Sequence, residues 1–243
     1  MFVEPMTRRI AMPPAAAQVL VIASHPDDIE SWCAGTLARM IDAGSRVDYL
    51  LVTSGDKGVD DPRLTTAEVA ALREGEQRVA AAALGVSTVH FLGHEDGGLE
   101  DSALLREQLV RVIRVVRPDI VFTHDPERPY PPYITHRDHR VTGRVALDAV
   151  YPAARDARTF PRHLTEGVTP HAVGEVWLFS SAAPDTWVDI TTGFDRKLAA
   201  RLAHESQTAD ADTLRVEWRQ RAAMVGAVMG LPLAEAFVVL HVG

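Results

Sequence analysis

The strongest constraint on the fold is an alternation. Short, continuous apolar runs rich in β-branched residues recur at 18–23 (QVLVIA), 47–53 (VDYLLVT), 88–92 (TVHFL) and 120–123 (IVFT). Their length and lack of polar alternation suit strands buried on both faces. Helical patterns fill the gaps. One covers 30–43 and stops at Gly44. A second covers 65–84, opening on Thr65-Thr66 with Glu68 close by and closing at Gly85. A third covers 102–116, from Ser102 to the residues before Pro118, and a fourth covers 138–150. Strand–helix alternation predicts an α/β chain: a Rossmann-like three-layer sandwich on a mostly parallel central sheet, in which the first five strands take the order 3-2-1-4-5. The later chain adds strands at 175–180 and 185–190, helices at about 194–206 and 211–229, and an apolar C-terminal run, AFVVLHV. Residues 1–16 are read as an N-terminal extension and 17–243 as one domain.

Composition narrows the partners. With 25 basic and 33 acidic residues the net charge is -8, which disfavours a general nucleic-acid binder and adhesion to an anionic membrane. No segment approaches the ~20 apolar residues of a membrane span. Arg8-Arg9 ahead of apolar residues imitates an export signal, but Pro13-Pro14 interrupts the stretch. Cys33 is the single cysteine, so no intramolecular disulfide forms, and a reducing cytoplasm is the expected location. Its apolar neighbours make it a core thiol.

Ligand sites in open α/β sheets gather at the carboxyl ends of strands. Two histidine–carboxylate clusters fall there: Ser24-His25-Pro26-Asp27-Asp28 after the first strand, and His136-Arg137-Asp138-His139 after the fourth. With those strands adjacent, the clusters face each other across one crevice. His25 and Asp28, three apart, project to one side of a turn, and His139 supplies a third ligand from the other loop. Two imidazoles and a carboxylate with open positions suit catalytic zinc and also non-haem iron. Asp27 is then spare and can take a proton from attacking water. Asp138 is expected to orient His136, which donates to the oxyanion or leaving amine. The plainer alternative is a solvated loop in which Asp27 or Asp28 caps a helix.

These residues resemble the LmbE-like / PIG-L superfamily of zinc-dependent N-acetylglucosaminyl deacetylases. The family pattern usually reads Ala-His-Pro-Asp-Asp and His-Pro-Asp-His; Ser24 and Arg137 depart from it at positions that are not ligands. Further matching segments are TSGDKG (53–58), LREGEQRVAAAALGV (72–86), FLGHEDGGL (91–99), FTHDPERPY (122–130) and AHESQ (203–207), so the resemblance covers about residues 17–241. It implies one Zn2+ per chain on His25, Asp28 and His139, favouring zinc over iron. Asp27 would be the general base, and His136 the acid or oxyanion partner assisted by Asp138. The implied reaction releases acetate and a free amine from an N-acetylated glucosamine-type sugar. Arg73 and Asp96 match positions that in relatives hold sugar hydroxyls or phosphate-like groups. Tyr133 is a further substrate-binding candidate, and His124 and His241 are secondary ones. A homo-oligomer is compatible with the resemblance. Two other readings stand beside it: a zinc amidase acting on a thiol conjugate or antibiotic intermediate, and a non-catalytic sugar- or nucleotide-binding module. The last lacks a Gly-x-Gly-x-x-Gly after the first strand.

Overall fold

The computed structural model describes residues 8–12, 14–15, 17–128 and 136–243. Strands β1 (Arg9–Ile10), β2 (Gln18–Ala23), β3 (Arg46–Thr53), β4 (Thr88–His94), β5 (Ile120–His124), β6 (Glu175–Phe179), β7 (Thr186–Asp189) and β8 (Ala234–His241) form one sheet. Its order is β1-β7-β8-β6-β5-β2-β3-β4. β2 to β6 run parallel, whereas β8 lies antiparallel to both β6 and β7. The chain is thus a mixed α/β protein on a mostly parallel sheet. The C-terminal apolar run supplies the reversed strand. Arg9 and Ile10, within the segment read as an extension, pair with β7 at the sheet edge.

The buried strands divide their side chains between two apolar layers. Val19, Val21 and Ala23 face the layer containing α2 (Ala34–Asp42) and α7 (Phe194–Leu202). Leu20 and Ile22 face α4 (Ala103–Val116) and α5 (Arg137–Asp148). This period-2 split explains why the run is apolar throughout. Helix α3 (Thr66–Leu84) opens with a reciprocal capping box between Thr65 and Glu68 and closes at Gly85 in the left-handed region. Helix α8 (Ala211–Ala227) and a short α6 (Arg162–Thr165) complete the set used below. None of the described helices is long and apolar enough to cross a membrane.

One difference from the sequence reading bears on the site. The helix expected over 30–43 is two pieces: α1 (Asp28–Trp32) and α2, hinged at Cys33 with φ -138. Long-range bonding supports the break. The Glu235 carboxylate on β8 accepts from the Gly35 and Thr36 N–H groups and the Thr36 hydroxyl at 2.7–3.0 Å, and pairs with Lys197 Nζ at 2.6 Å. A distant side chain therefore satisfies the free amides at the start of α2. Glu235→Ala would leave those amides and a buried ammonium unpaired. We expect a loss of about 3–5 kcal/mol of unfolding free energy, measured by urea denaturation. A change within 0.5 kcal/mol (about experimental scatter for surface sites) would contradict this.

Candidate active site

β2 and β5 are adjacent, with Ile22 opposite Thr123, so the segments that follow them emerge side by side. After β2 the chain turns at His25-Pro26-Asp27 into α1. After β5 it returns through α5, whose cap is His136: the His136 Nδ1 accepts from the Asp138 N–H at 3.2 Å. Gly143 lets α5 lie directly on the end of β5, since a Cβ there would meet the His124 carbonyl oxygen at 2.4 Å. The Ser24 hydroxyl, where the family pattern carries alanine, lies 2.9 Å from Thr142 Oγ1 and joins β2 to the same helix.

The result is a cluster of donor atoms in which Asp28 turns a different carboxylate oxygen to each of two imidazoles, and His139 groups with His25 and His136 on one side and with Asp28 and His124 on the other. His25 Nδ1 lies 3.2 Å from His139 Nε2 and 3.4 Å from Asp28 Oδ2, while His139 Nε2 lies 3.1 Å from Asp28 Oδ1. Donors set tetrahedrally at 2.0–2.1 Å around one ion stand about 3.3 Å apart. The His25–His139 separation and each imidazole's distance to its own Asp28 oxygen match that spacing, so the chemistry of this donor set fits a divalent cation. His25 uses its other nitrogen outward: Nε2 lies 3.3 Å from Asp138 Oδ2 and 3.1 Å from Asp96 Oδ1. A carboxylate behind a ligating imidazole fixes its tautomer and direction. Asp138 also accepts from the Gly97 N–H at 2.6 Å and the Leu99 N–H at 3.3 Å.

This placement changes one expectation. The ring nearer Asp138 Oδ2 is His25, at 3.3 Å, whereas His136 Nδ1 is 3.9 Å away. At the first turn of a helix, residues two apart diverge, so sequence proximity misleads here. The Asp138 backbone amide, not its carboxylate, orients His136. Because that amide donates to Nδ1, the neutral ring carries its proton on Nε2. The His136 side chain is 46% exposed and its ring stands edge-on to His25 at 4.7 Å.

Asp27 is outside the cluster. It occupies the N-cap position of α1, yet its side chain caps no amide, and its φ is +88. The cap reading therefore fails for Asp27, and Asp28 Oδ2 instead accepts from the His25 N–H at 2.8 Å. Such a left-handed conformation is strained for a residue with a Cβ, and Gln77 Oε1 holds it by accepting the Asp27 N–H at 3.1 Å. Two guanidiniums flank the carboxylate: Arg73 at 3.6 Å and Arg201 at 3.7 Å. Arg73 is buried, and its donors go to the Gly55 carbonyl at 3.1 Å and the Pro26 carbonyl at 2.7 Å. The structure thus aims Arg73 at the Asp27 turn. Tyr133 lies outside the described residues. His241 pairs with Glu175 at 3.2 Å, at the end of β6 opposite the site.

Electrostatics separates the two adjacent carboxyls. Burial and then the charge of Asp28 raise the Asp27 pKa to about 6, against the pull of Arg73 and Arg201. Burial also opposes ionisation of Asp28, but the charges of His139 and His124 outweigh it and hold that carboxyl well below its usual range. Burial disfavours a charged His25, yet its bonds to Asp138, Asp28 and Asp96 prevail and raise its pKa. Burial, followed by the neighbouring His25, lowers that of His136.

His124, a secondary candidate from the sequence, lies against the site, and the buried chain behind Asp27 escaped the sequence reading. His124 is buried, with Nε2 3.3 Å from Asp28 Oδ2 and its ring stacked on His139 at 4.1 Å. Burial and the charge of His139 push its pKa down to about 4. Behind Asp27 runs a buried chain: Gln77 Nε2 donates to Glu30 Oε1 at 3.0 Å, and Glu30 Oε2 lies 3.2 Å from His204 Nε2. The available signal was Glu30 directly after the apolar Ile29 in DIESW and the histidine of AHESQ.

A mostly parallel sheet that gathers a His/Asp donor cluster and a spare carboxyl at adjoining strand ends has the makings of a metal-assisted hydrolase. The chain belongs to the PIG-L family, GlcNAc-PI de-N-acetylase, whose profile matches residues 20–150. It is 37% identical over 191 residues to a diacetylchitobiose deacetylase of Thermococcus kodakarensis, spanning 78% of this chain and 70% of that one. It is 31% identical over 237 residues to the 1D-myo-inositol 2-acetamido-2-deoxy-alpha-D-glucopyranoside deacetylase of Acidothermus cellulolyticus, spanning 79% and 80%. The solved N,N'-diacetylchitobiose deacetylase of Pyrococcus horikoshii, in complex with an inhibitor, superposes with a TM-score of 0.85 at 32% identity, over 92% of this chain and 83% of that one.

Proposed function

We propose that the protein is a zinc-dependent hydrolase that removes the N-acetyl group of a glucosamine-type conjugate, releasing acetate and a free amine. The observation that carries this reading is the donor cluster of His25, Asp28 and His139 beside an unligated Asp27. Similarity to deacetylases of N-acetylated aminosugars supports the substrate class. One Zn2+ on that cluster would supply a Lewis acid for the amide carbonyl and lower the pKa of water to about 7.

The side chains then divide the proton work. Asp27, raised to about 6, accepts the proton of the water that attacks the acetyl carbon. His136 donates from Nε2 towards the carbonyl oxygen as it gains charge, and its exposure leaves it free to serve the departing nitrogen. The C–N bond breaks as that nitrogen takes up a proton, so water has been added across the amide. Asp138 and Asp96 keep the His25 ring in place, and Asp96, though buried, is the carboxylate we offer to a sugar hydroxyl. Arg73 acts through Asp27. Tyr133 remains a proposed substrate contact, and the cytoplasm the proposed location.

The direct test is amine release from N-acetylglucosamine conjugates, with and without a chelator. Activity that disappears on chelation and returns with one equivalent of zinc supports the proposal. Acetyl release that survives complete metal removal would refute it. The pH profile adds a second check. Asp27 must be ionised to act, so kcat/KM should rise with pH through its pKa, with the acid limb at or below about 6. A rate that increases on acidification below pH 5 would have the wrong sign.

A further inference from the structure

A cleft of about 760 Å³, its open mouth included, lies beside the site, between α1, the turn after β6, β8 and α8. Three of its walls are indoles: Trp32, Trp187 and Trp218. Ser180, Ser181 and Arg221 add polar groups. None of the proposed metal ligands lines it. It is nevertheless close to them. Trp32 ends the helix that Asp28 begins, and four residues of α-helix rise only about 6 Å. Arg128 stands between the two places. It leaves β5 four residues after His124, lies over the Trp32 ring at 5.5 Å and donates to the Ser180 hydroxyl.

Lys197, deeper in the cleft, is neutralised by Glu235 at 2.6 Å. Arg201 nearby is committed to Asp27, the Thr208 hydroxyl and the Gln207 carbonyl. Arg128 and Arg221 differ. Among the described residues neither has a carboxylate within 4.0 Å; Arg221 rests against Trp218 at 5.8 Å. Arg128 feels both signs: after burial, the Asp125 charge raises its pKa and the Arg221 charge lowers it, so the two guanidiniums share one field with a carboxylate. Two guanidiniums over an indole-lined cleft suit a ligand with a ring to stack and an anionic group to pair.

We propose that this cleft is the aglycone subsite of the same active site, and that it receives a ring-bearing aglycone carrying a carboxylate or phosphate, paired by Arg221 and Arg128. This rests on the deacetylase reading above. With the acetamide at the donor cluster, the glycosidic substituent of the same sugar lies towards Trp32, and the cleft is where it can be buried.

The test compares four N-acetylglucosaminides on the zinc-loaded protein: phenyl, 4-carboxyphenyl, 4-(phosphonomethyl)phenyl and 4-(trimethylammonio)phenyl. We expect kcat/KM for the acidic compounds to exceed that of the phenyl glycoside about tenfold or more, chiefly through KM, with the cationic compound poorest. The carboxylate and phosphonate arms separate the two anion sources. In Arg221→Gln, an exposed position, the acid-to-phenyl ratio should fall towards 1. In Trp218→Leu, all four aryl glycosides should lose relative to free N-acetylglucosamine. Calorimetric binding of the same glycosides to metal-stripped protein gives a readout free of chemistry. Arg221-dependent binding of the acidic glycosides without acetyl release would sustain the cleft while removing the deacetylase reading. Equal kcat/KM across the series, or a preference that survives Arg221→Gln, overturns the subsite. So does sedimentation showing that a second copy of the chain occupies the cleft.

Discussion

Asp27→Asn should purify with a full equivalent of zinc and deacetylate roughly 10²–10⁴-fold more slowly in kcat, with KM little changed. That range is what a positioned general base contributes. The donor cluster forms without Asp27, so the amide side chain leaves the metal donors untouched. The Asp27 N–H remains bonded to Gln77, which keeps the left-handed turn in place. What disappears is a carboxylate that can accept a proton near neutrality. Arg73 and Arg201 lose a counter-charge, but Arg73 retains two backbone carbonyls. Metal content by plasma emission and steady-state kinetics on one preparation decide the matter. Near-native turnover would assign the base elsewhere, and loss of zinc would make Asp27 a ligand.

The second large effect is expected at His139. His139→Ala removes one of the three proposed ligands, leaving His25 and Asp28 from a single turn. Losing a group that only orients a ligand costs 10–100-fold in metal affinity, so losing a ligand should cost more than about 100-fold. Dialysed protein should then be nearly free of zinc and inactive. A thermal scan gives an independent reading. A ligand at 100 times its Kd stabilises the folded state by about 2.7 kcal/mol, so added zinc should raise the Tm of the parent protein and leave that of the variant unmoved. His136→Ala is the comparison: its ring also groups with His25 and His139, and as an acid rather than a ligand it should keep its zinc and lose kcat, whereas loss of zinc would make it a ligand. Full zinc in His139→Ala would transfer the ligand role, and His124, stacked on His139 and 3.3 Å from Asp28, would be its first claimant.

Much of the architecture was legible because the parallel strands carry their own signature. A strand covered on both faces needs an unbroken apolar run, and QVLVIA and IVFT have no other reason to lack polar alternation. Both segments that supply the His/Asp donor cluster follow such runs. The capping residues Thr65, Glu68, Gly85 and Ser102 marked helix ends for equally local reasons. What could not be read depends on partners far along the chain. The hinge at Cys33 has neither glycine nor proline; it exists because Glu235, about 200 residues later, satisfies the amides beyond it. The Glu30–His204 pair joins positions 174 apart, and neither residue announces its burial. Asp138 was expected to serve His136 because the two are adjacent in sequence; the helix start turns its carboxylate nearer to His25, at 3.3 Å against 3.9 Å. Arg73 was expected to face a sugar; its setting beneath Gly55 and Pro26 follows from the turn that wraps it, where a Cβ on Gly55 would stand 2.1 Å from its guanidinium.

The most direct test is anomalous diffraction from crystals grown with one equivalent of zinc, measured on both sides of the zinc edge. The account predicts a single strong peak per chain, 2.0–2.2 Å from His25 Nδ1, an Asp28 carboxylate oxygen and His139 Nε2, with Asp27 beyond bonding distance. A peak held by other side chains, or crystals with no zinc between these three residues, would contradict it.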